Sequence, residues 1–515
     1  MFAPLALGFF ALVLPSPAPP LHARIDGFIV AGHGERAQQA APRASDEEFL
    51  RRVTLDLTGT IPSPIDIRTF VADTSTGKRA KAIDRLLASP NYARRMAQHF
   101  DVVLMERRKD VKVPRPVWED YLKAAFAANR PYDELVRELL AADGVDPKLR
   151  PAAKFMLDRD LEAHLVTRDL SRVFLGRNLQ CCQCHDHPHI EALKQSEYYG
   201  IYAYVSRSYL HPNAKAPAAV IAEKAEGETT FVSVFDKAMK QGMTSPTLPD
   251  AKPVAEPKPV KGKEYISGIG KDVRLVPAFS RRALLPGAIA TAENQAFVRT
   301  GANRLWAMMM GRGLVHPLDA DHAENPPSHP ELLELLAKEF ASHKFDVKWL
   351  LREIALSDAY GRSSEVPSSL ESVPEDRYLV GMLKPMTPEQ LAQSIADATG
   401  KPANVAAFRT AFAGQPGEPE DGKTATLDQT LFLKHGAILR DGFTLPKPGN
   451  LADRLAKMKD GAVAEELFLA VFSRMPTADE RVDVLAMLKA SKDRPAACGE
   501  LVWALVASGE FRFNH

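Results

Sequence analysis

Three times in this chain a hydroxyl residue stands directly before a proline at the head of a run with helical spacing: Ser63-Pro64, Ser89-Pro90 and Thr387-Pro388. No other feature restricts the fold as much. A serine or threonine at the N-cap satisfies an orphan backbone N–H, and proline in the first helical position gives up an N–H that has no partner there anyway. Ser328 with Glu331, Thr387 with Gln390 and Thr477 with Glu480 add the spacing of capping boxes. Behind such starts the apolar residues recur at three and four, as Leu332, Leu333, Leu335, Leu336 and Phe340 do. The pattern predicts helices over 46–55, 64–72, 77–88, 90–106, 115–129, 132–142 and 161–175, the last stopped by Gly176.

Strand signals are confined to "ETTFVSVF" and "KDVRLVPAF", on either side of "SPTLPDAKPVAEPKPVKGK", which reads as an extended, solvated linker. The expected fold is therefore mainly α: two helical domains, 24–211 and 276–515, joined over 212–275 by a Pro-rich segment with a few short strands. A chain of 515 residues, 45% hydrophobic and 25% charged, has room for more than one core. Lys and Arg number 66 against 65 Asp and Glu without a single-sign block, which argues against a nucleic-acid surface and a polybasic membrane patch.

Residues 1–23 run from an apolar stretch between Pro4 and Pro15 through a Pro-rich breaker to Ala23. This is the order of a cleaved signal peptide, though no Lys or Arg precedes the apolar stretch, and the alternative is a buried N-terminal helix. The stretch is too short to span a bilayer comfortably, and no later one is apolar enough. The expected location is extracytoplasmic, in the periplasm or at the cell surface.

The ten residues "QCCQCHDHPH", 180–189, hold three of the four cysteines. Cys181, Cys184 and His185 match C-x-x-C-H, the attachment motif of haem c: two thiols three apart add to the vinyl groups, and the next histidine ligates the iron. Random placement of these residue counts would give the motif roughly once in a thousand such chains. Zinc is the alternative cofactor, held by Cys181 and Cys184 with His185, His187 or His189, and with Cys182 as an extra ligand. A disulfide is a third reading. A sixth haem ligand would have to come from elsewhere, with His99, His164 and Met308 to Met310 as candidates.

A second unusual stretch, "GRGLVHPLDADHAENPPSHPELL", offers His316, Asp319, Asp321, His322, Glu324 and His329 as metal ligands or acid–base groups. Its spacing meets no established metal motif, and the same residues suit a structured loop leading into a capped helix.

The segments "FLRRVTLDLTGTIPSP", "VFLGRNLQCCQCHDHP", "ANRLWAMMMGRGLVHPLDADHAENPPSHPELL" and "LVWALVASGEFRFNH" resemble a large family of exported proteins known mainly from planctomycetes and their relatives. That family pairs the cytochrome-associated PSCyt domain with the PSD domain, both of uncharacterised function. The resemblance implies an exported, largely helical two-domain protein, often fused in relatives to a cytochrome c domain and often encoded beside an exported sulfatase-like protein. It maps the C-x-x-C-H-x-H-P core onto Cys181, Cys184, His185, His187 and Pro188, and departs from it in Cys182, where a small residue is usual, and in His189, where an aromatic is common.

The leading reading is a carrier of one haem c in envelope electron transfer, or in a haem-dependent reaction, with an electron-transfer partner. The alternatives are a zinc- or other metal-dependent hydrolase or carbohydrate-processing accessory, and a structural envelope protein stapled by the cluster. No G-x-S-x-G nucleophile motif accompanies the hydrolase reading.

Overall fold

The computed structural model describes residues 18–212, 219–270, 272–420 and 426–515. The apolar run of the proposed signal peptide, 1–17, and residues 213–218 of the Pro-rich segment lie outside them. The helices read from the capping signals form at Asp46–Thr58, Pro64–Ala72, Lys78–Ala88, Pro90–Met105, Arg115–Ala127, Tyr132–Ala141 and Ala163–Leu175. Ser63 and Ser89 accept from the N–H of Asp66 and Asn91, and Thr387 and Thr477 close both halves of their capping boxes.

The box at Ser328 does not form. The helix Pro330–Ser342 starts one residue later, with His329 in the cap position and no side-chain cap. The main-chain N–H of Ser328 is instead bound to the Leu314 carbonyl at 2.8 Å.

Three small antiparallel sheets pair Ser208–His211 with Val220–Glu223, Thr229–Phe231 with Gly242–Thr244, and Lys384–Pro385 with Phe513–Asn514. The strand expected over 228–235 shrinks to Thr229–Phe231. Of the one expected over 271–279, the described residues 272–279 are loop, touching Tyr265 through a bridge at Pro277, which has no N–H to continue a ladder. The Pro-rich segment is largely exposed, as an extended linker would be, but it is pinned at points. Leu248 is buried, the Thr247 N–H donates to the Gly200 carbonyl at 3.0 Å, and Glu256 bridges Arg207 and Arg281 at 3.1 and 2.6 Å.

The buried side chains fall into two clusters. The larger takes the helices from Leu21 to Val205 and also those from Leu285 to Leu356, so three long helices assigned by sequence to the second domain pack against the first. Phe297, for example, stacks on Tyr132 with ring centres 5.3 Å apart. The smaller cluster holds residues from Met386 to Phe511.

Helix Asp46–Thr58 belongs to both: Phe49, Leu50, Val53 and Leu57 enter the larger core and Leu55 the smaller. It is buried without interruption from Phe49 to Thr58, and its buried charges are answered. Arg51 donates to the carbonyls of Val471 and Phe511, and Arg52 to those of Tyr360 and Arg362. Asp56 accepts from Lys384, Tyr360 and Asn514.

The first described helix, Leu21–His33, buries Leu21, Ile25, Ile29 and His33 at four-residue intervals. His22 binds Glu353 through both its main-chain N–H, at 3.0 Å, and Nδ1, at 2.8 Å. A cut after Ala23 falls in the first turn of this helix and removes both Leu21 and His22. No helix among the described residues is long and apolar enough to cross a membrane.

Candidate functional site

Helix Ala163–Leu175 ends at Gly176, whose φ of +64° is left-handed. A Cβ there would lie 2.6 Å from Thr300 Oγ1. The reversed chain then zips onto the 319–321 segment: Asn178 N–H donates to the Asp319 carbonyl at 2.8 Å, and Asp321 N–H to the Gly176 carbonyl at 2.9 Å. Gly176→Ala is expected to lower stability by about 1–2 kcal/mol from the left-handed backbone alone. Urea titration of the variant checks this, and an unchanged midpoint would rule out the turn as a fixed element.

After this turn Gln180–Gln183 forms one turn of 3-10 helix, in which side chains three apart eclipse one another. The geometry sorts the thiols. Cys181 and Cys184 are exposed and unbridged, whereas Cys182 is fully buried in the larger core, where burial pushes its thiol up to about 12. Cys182 is thus a packing residue, and its presence does not add a third ligand to the outward face.

The histidines are sorted by their ring nitrogens. His185 Nδ1 lies 2.5 Å from the Asp186 carbonyl, which can only accept, so Nδ1 carries the proton and Nε2 keeps its lone pair. That is the tautomer of a histidine that ligates through Nε2. His187 is the reverse: its Nδ1 accepts from the N–H groups of His189 and Ile190 at 3.2 and 3.0 Å, which leaves the proton on Nε2. Burial, with His189, His322 and His185 nearby, moves its protonation to lower pH and keeps it neutral. His187 therefore holds the loop. His189 is exposed beside it, ring centres 6.4 Å apart.

Over the motif lies the hairpin Thr229–Phe231/Gly242–Thr244. Val234 N–H donates to the Cys184 carbonyl at 3.0 Å, Phe231 stacks on Tyr199 at 4.7 Å, and Tyr199 Oη donates to the Gln183 carbonyl at 3.1 Å. The hairpin brings Phe235 to 4.6 Å from the His185 ring. It also carries a run of exposed apolar side chains: Val234 at 65%, Phe235 at 73%, Met239 at 67% and Met243 at 69% of full exposure.

The 311–329 stretch is dispersed over several neighbourhoods. His322 pairs with Glu324 at 3.3 Å, and Glu324 accepts from the Glu191 N–H at 3.1 Å, so this part does meet the cysteine loop. Asp321 takes both arms of Arg299, at 3.1 and 2.9 Å. His329 is buried against Tyr378, ring centres 5.7 Å apart, with Nδ1 3.1 Å from Ser328 Oγ. His316 and Asp319 face a cavity elsewhere. Among the described residues no three His, Cys, Asp or Glu side chains are grouped to hold a metal ion. Of the residues considered for a sixth ligand, His164 sits 2.9 Å from Tyr198 Oη, Met309 and Met310 are core, and His99 and Met308 line the same cavity as His316.

That cavity, of about 290 Å³, lies between the two cores and escaped the reading of the sequence. One wall is helix Pro90–Met105 and its cap: Arg95, Gln98, His99, Val102, Val103 and Glu106. Lys384, Glu389 and Asn514 come from the other side. Most of its charges are committed. Glu389 binds Arg107 and Arg409 and is held down to about 2, Arg107 and Arg409 outweighing the opposing effect of burial. Glu106 pairs with Arg172 and Arg108, and Asp56 with Lys384.

Fold and sites together define a class: a mainly α protein of two interlocked cores, with an outward C-x-x-C-H loop on one and a cavity between them. Within that class the chain joins a PSCyt2-type region to a PSD1-type region, the pairing its motifs resemble. Residues 24–209 match the PSCyt2 model, described as a protein of unknown function (DUF1549), and residues 281–429 match the PSD1 model, likewise of unknown function (DUF1553). Neither a curated protein nor a solved structure matches the chain. The first match contains Arg95 and the cysteine loop, the second the 311–329 stretch, Lys384 and Glu389.

Proposed function

We propose that the protein is exported and carries one haem c, bonded through Cys181 and Cys184 and ligated by His185 Nε2, for one-electron transfer in the cell envelope. The observation that carries this reading is the contrast between His185 and His187: only His185 donates from Nδ1 and so presents an Nε2 lone pair beside two exposed thiols. The exposed apolar residues of the overlying hairpin supply the kind of surface a porphyrin face covers.

Bound haem would supply a one-electron iron couple. The chain's own part is to fix the proton on His185 Nδ1 through the Asp186 carbonyl, to hold the loop through His187, and to keep Cys182 buried and protonated, away from the reactive pair. The acceptor or donor would be a second redox protein docking near this exposed loop. The exported sulfatase-like neighbour of family members remains a candidate partner by analogy alone.

The test is the reduced spectrum in alkaline pyridine of protein purified from its native envelope, with elemental analysis of the same sample. A haem c α-band with about one iron per chain is expected. Cys181→Ala with Cys184→Ala should lose the covalent haem, with the helical circular dichroism kept, whereas His187→Gln should keep the haem in a less stable loop. Absence of the band, with zinc equimolar to protein, would overturn the proposal in favour of a metal-staple or hydrolytic role.

A further inference from the structure

The cavity between the cores contains a cation with nothing to hold. Arg95 is 5% exposed and lines it, yet among the described residues its guanidinium makes no hydrogen bond or ion pair, and its Nε is buried without a partner. Asp56 and Glu389 act on it only at a distance. Their oxygens are taken: those of Asp56 by Lys384, Tyr360 and Asn514, those of Glu389 by Arg107 and Arg409. The Arg95 stem is confined as well, since its Cδ lies 3.0 Å from the position a Cβ on Gly59 would take.

A buried charge without a partner costs several kcal/mol, about what a stably folded domain can least spare, so buried cations are normally paired. Every other buried arginine or lysine described above meets a carboxylate or a carbonyl. Arg95 stands apart.

We infer that this cavity binds a small organic monocarboxylate, with Arg95 receiving its headgroup and Val102, Val103, Met308, Leu318 and Leu383 receiving its body. The guanidinium fork matches a carboxylate in two parallel hydrogen bonds. A singly charged group is favoured over phosphate because, besides Arg95, the lining sets four cations, Arg172, Arg304, Arg312 and Lys384, against five carboxylates, Asp56, Glu106, Asp319, Glu389 and Glu420, and so holds no surplus of positive charge for a second negative one. The volume, about 290 Å³, sits at the low end of small-molecule sites, and Leu383, 56% exposed, marks the mouth. This site is separate from the cysteine loop and stands whether or not haem is attached there.

The test is isothermal titration of the full chain with three monocarboxylates of increasing body, acetate, benzoate and gluconate, alongside inorganic phosphate and the neutral benzyl alcohol. At least one carboxylate should bind saturably at one per chain, phosphate at least tenfold more weakly, and benzyl alcohol not at all. Arg95→Lys should weaken the carboxylate at least tenfold, and Arg95→Met should abolish its binding. Leu383→Trp, placed at the exposed rim so that folding is spared, should weaken it with the melting temperature unchanged. Binding by none of the three carboxylates, or the same affinity in Arg95→Lys and Leu383→Trp as in the parent, overturns the inference.

Discussion

Replacing Asp56 with alanine lowers the stability of the protein by about 3–5 kcal/mol, the cost of removing one side of a buried ion pair and leaving the other charged. Asp56 is 2% exposed and collects three donors: Lys384 Nζ at 2.5 Å, Tyr360 Oη at 2.7 Å and Asn514 Nδ2 at 2.8 Å. With the carboxylate gone, the Lys384 ammonium keeps the Met309 carbonyl, at 2.6 Å, and the Tyr360 ring, 5.9 Å to its centre, in surroundings that already hold Arg95 and Arg52. The loss is more than local. Asp56 rides on the helix shared by both cores, and Lys384 and Asn514 stand on the two strands that close the smaller core against it. Asp56→Asn should cost less, because the amide still accepts from the amine. Urea unfolding followed by circular dichroism measures both variants. A cost below about 1 kcal/mol for the alanine, the scale of an exposed pair, would show that the network does not tie the cores together.

Acid is expected to remove stability in two successive steps. His33 is 5% exposed, and burial, with Arg362 and His329 nearby, pushes its protonation down to about 4 from the usual 6.5. Above pH 6.5 neither the folded nor the unfolded chain protonates it and the folded state has its full advantage. Between 6.5 and 4 the unfolded chain gains a proton that the folded one refuses, and stability falls. His515, also pushed down to about 4 by burial, acts in the same window. Glu389 acts lower: its carboxyl is held at about 2 against the usual 4.5, so the stabilisation from Arg107 and Arg409 is complete above 4.5 and is lost as the pH falls toward 2. Each of the His33 and Glu389 steps is worth about 3 kcal/mol by the pKa differences. Unfolding midpoints between pH 7 and 3 should show both falls, and His33→Gln should shrink only the upper one. If His33→Gln leaves the upper fall intact, burial of that imidazole is not its cause.

What could be read from the sequence was whatever is decided within a few residues. Ser63-Pro64 and Thr387-Pro388 start helices where they stand, and Gly176 stops one, because caps and left-handed stops act on their own backbone. The C-x-x-C-H motif was equally visible. Its division was not: that a 3-10 turn sends Cys182 inward and leaves Cys181 and Cys184 outside depends on the core behind it. The two stretches rich in histidine meet through His322 and Glu324, a result of chain pairing at 176–178 and 319–321 that no local signal announces.

The cavity was hidden for a different reason. Along Pro90–Met105 one stripe, with Tyr92, Met96, Phe100 and Leu104, is apolar and buried in the larger core, and the neighbouring stripe, with Arg95, Gln98, His99 and Glu106 beside Val102 and Val103, has the mostly polar composition of a side that faces solvent. The smaller core settles over that second stripe. A polar helix face covered by another body gives the same pattern as one covered by water.

The helix Asp46–Thr58 has a consequence for how this pair of family regions can be inherited and manipulated. The boundary between the two family matches, near residues 210–280, does not separate the two hydrophobic clusters, since Leu285–Leu356 completes the larger one and Leu55 enters the smaller. Neither matched region, taken as a gene fragment, would encode a closed interior. Each half completes the other's interior, so the two are expected to move between genomes and expression vectors only as a unit.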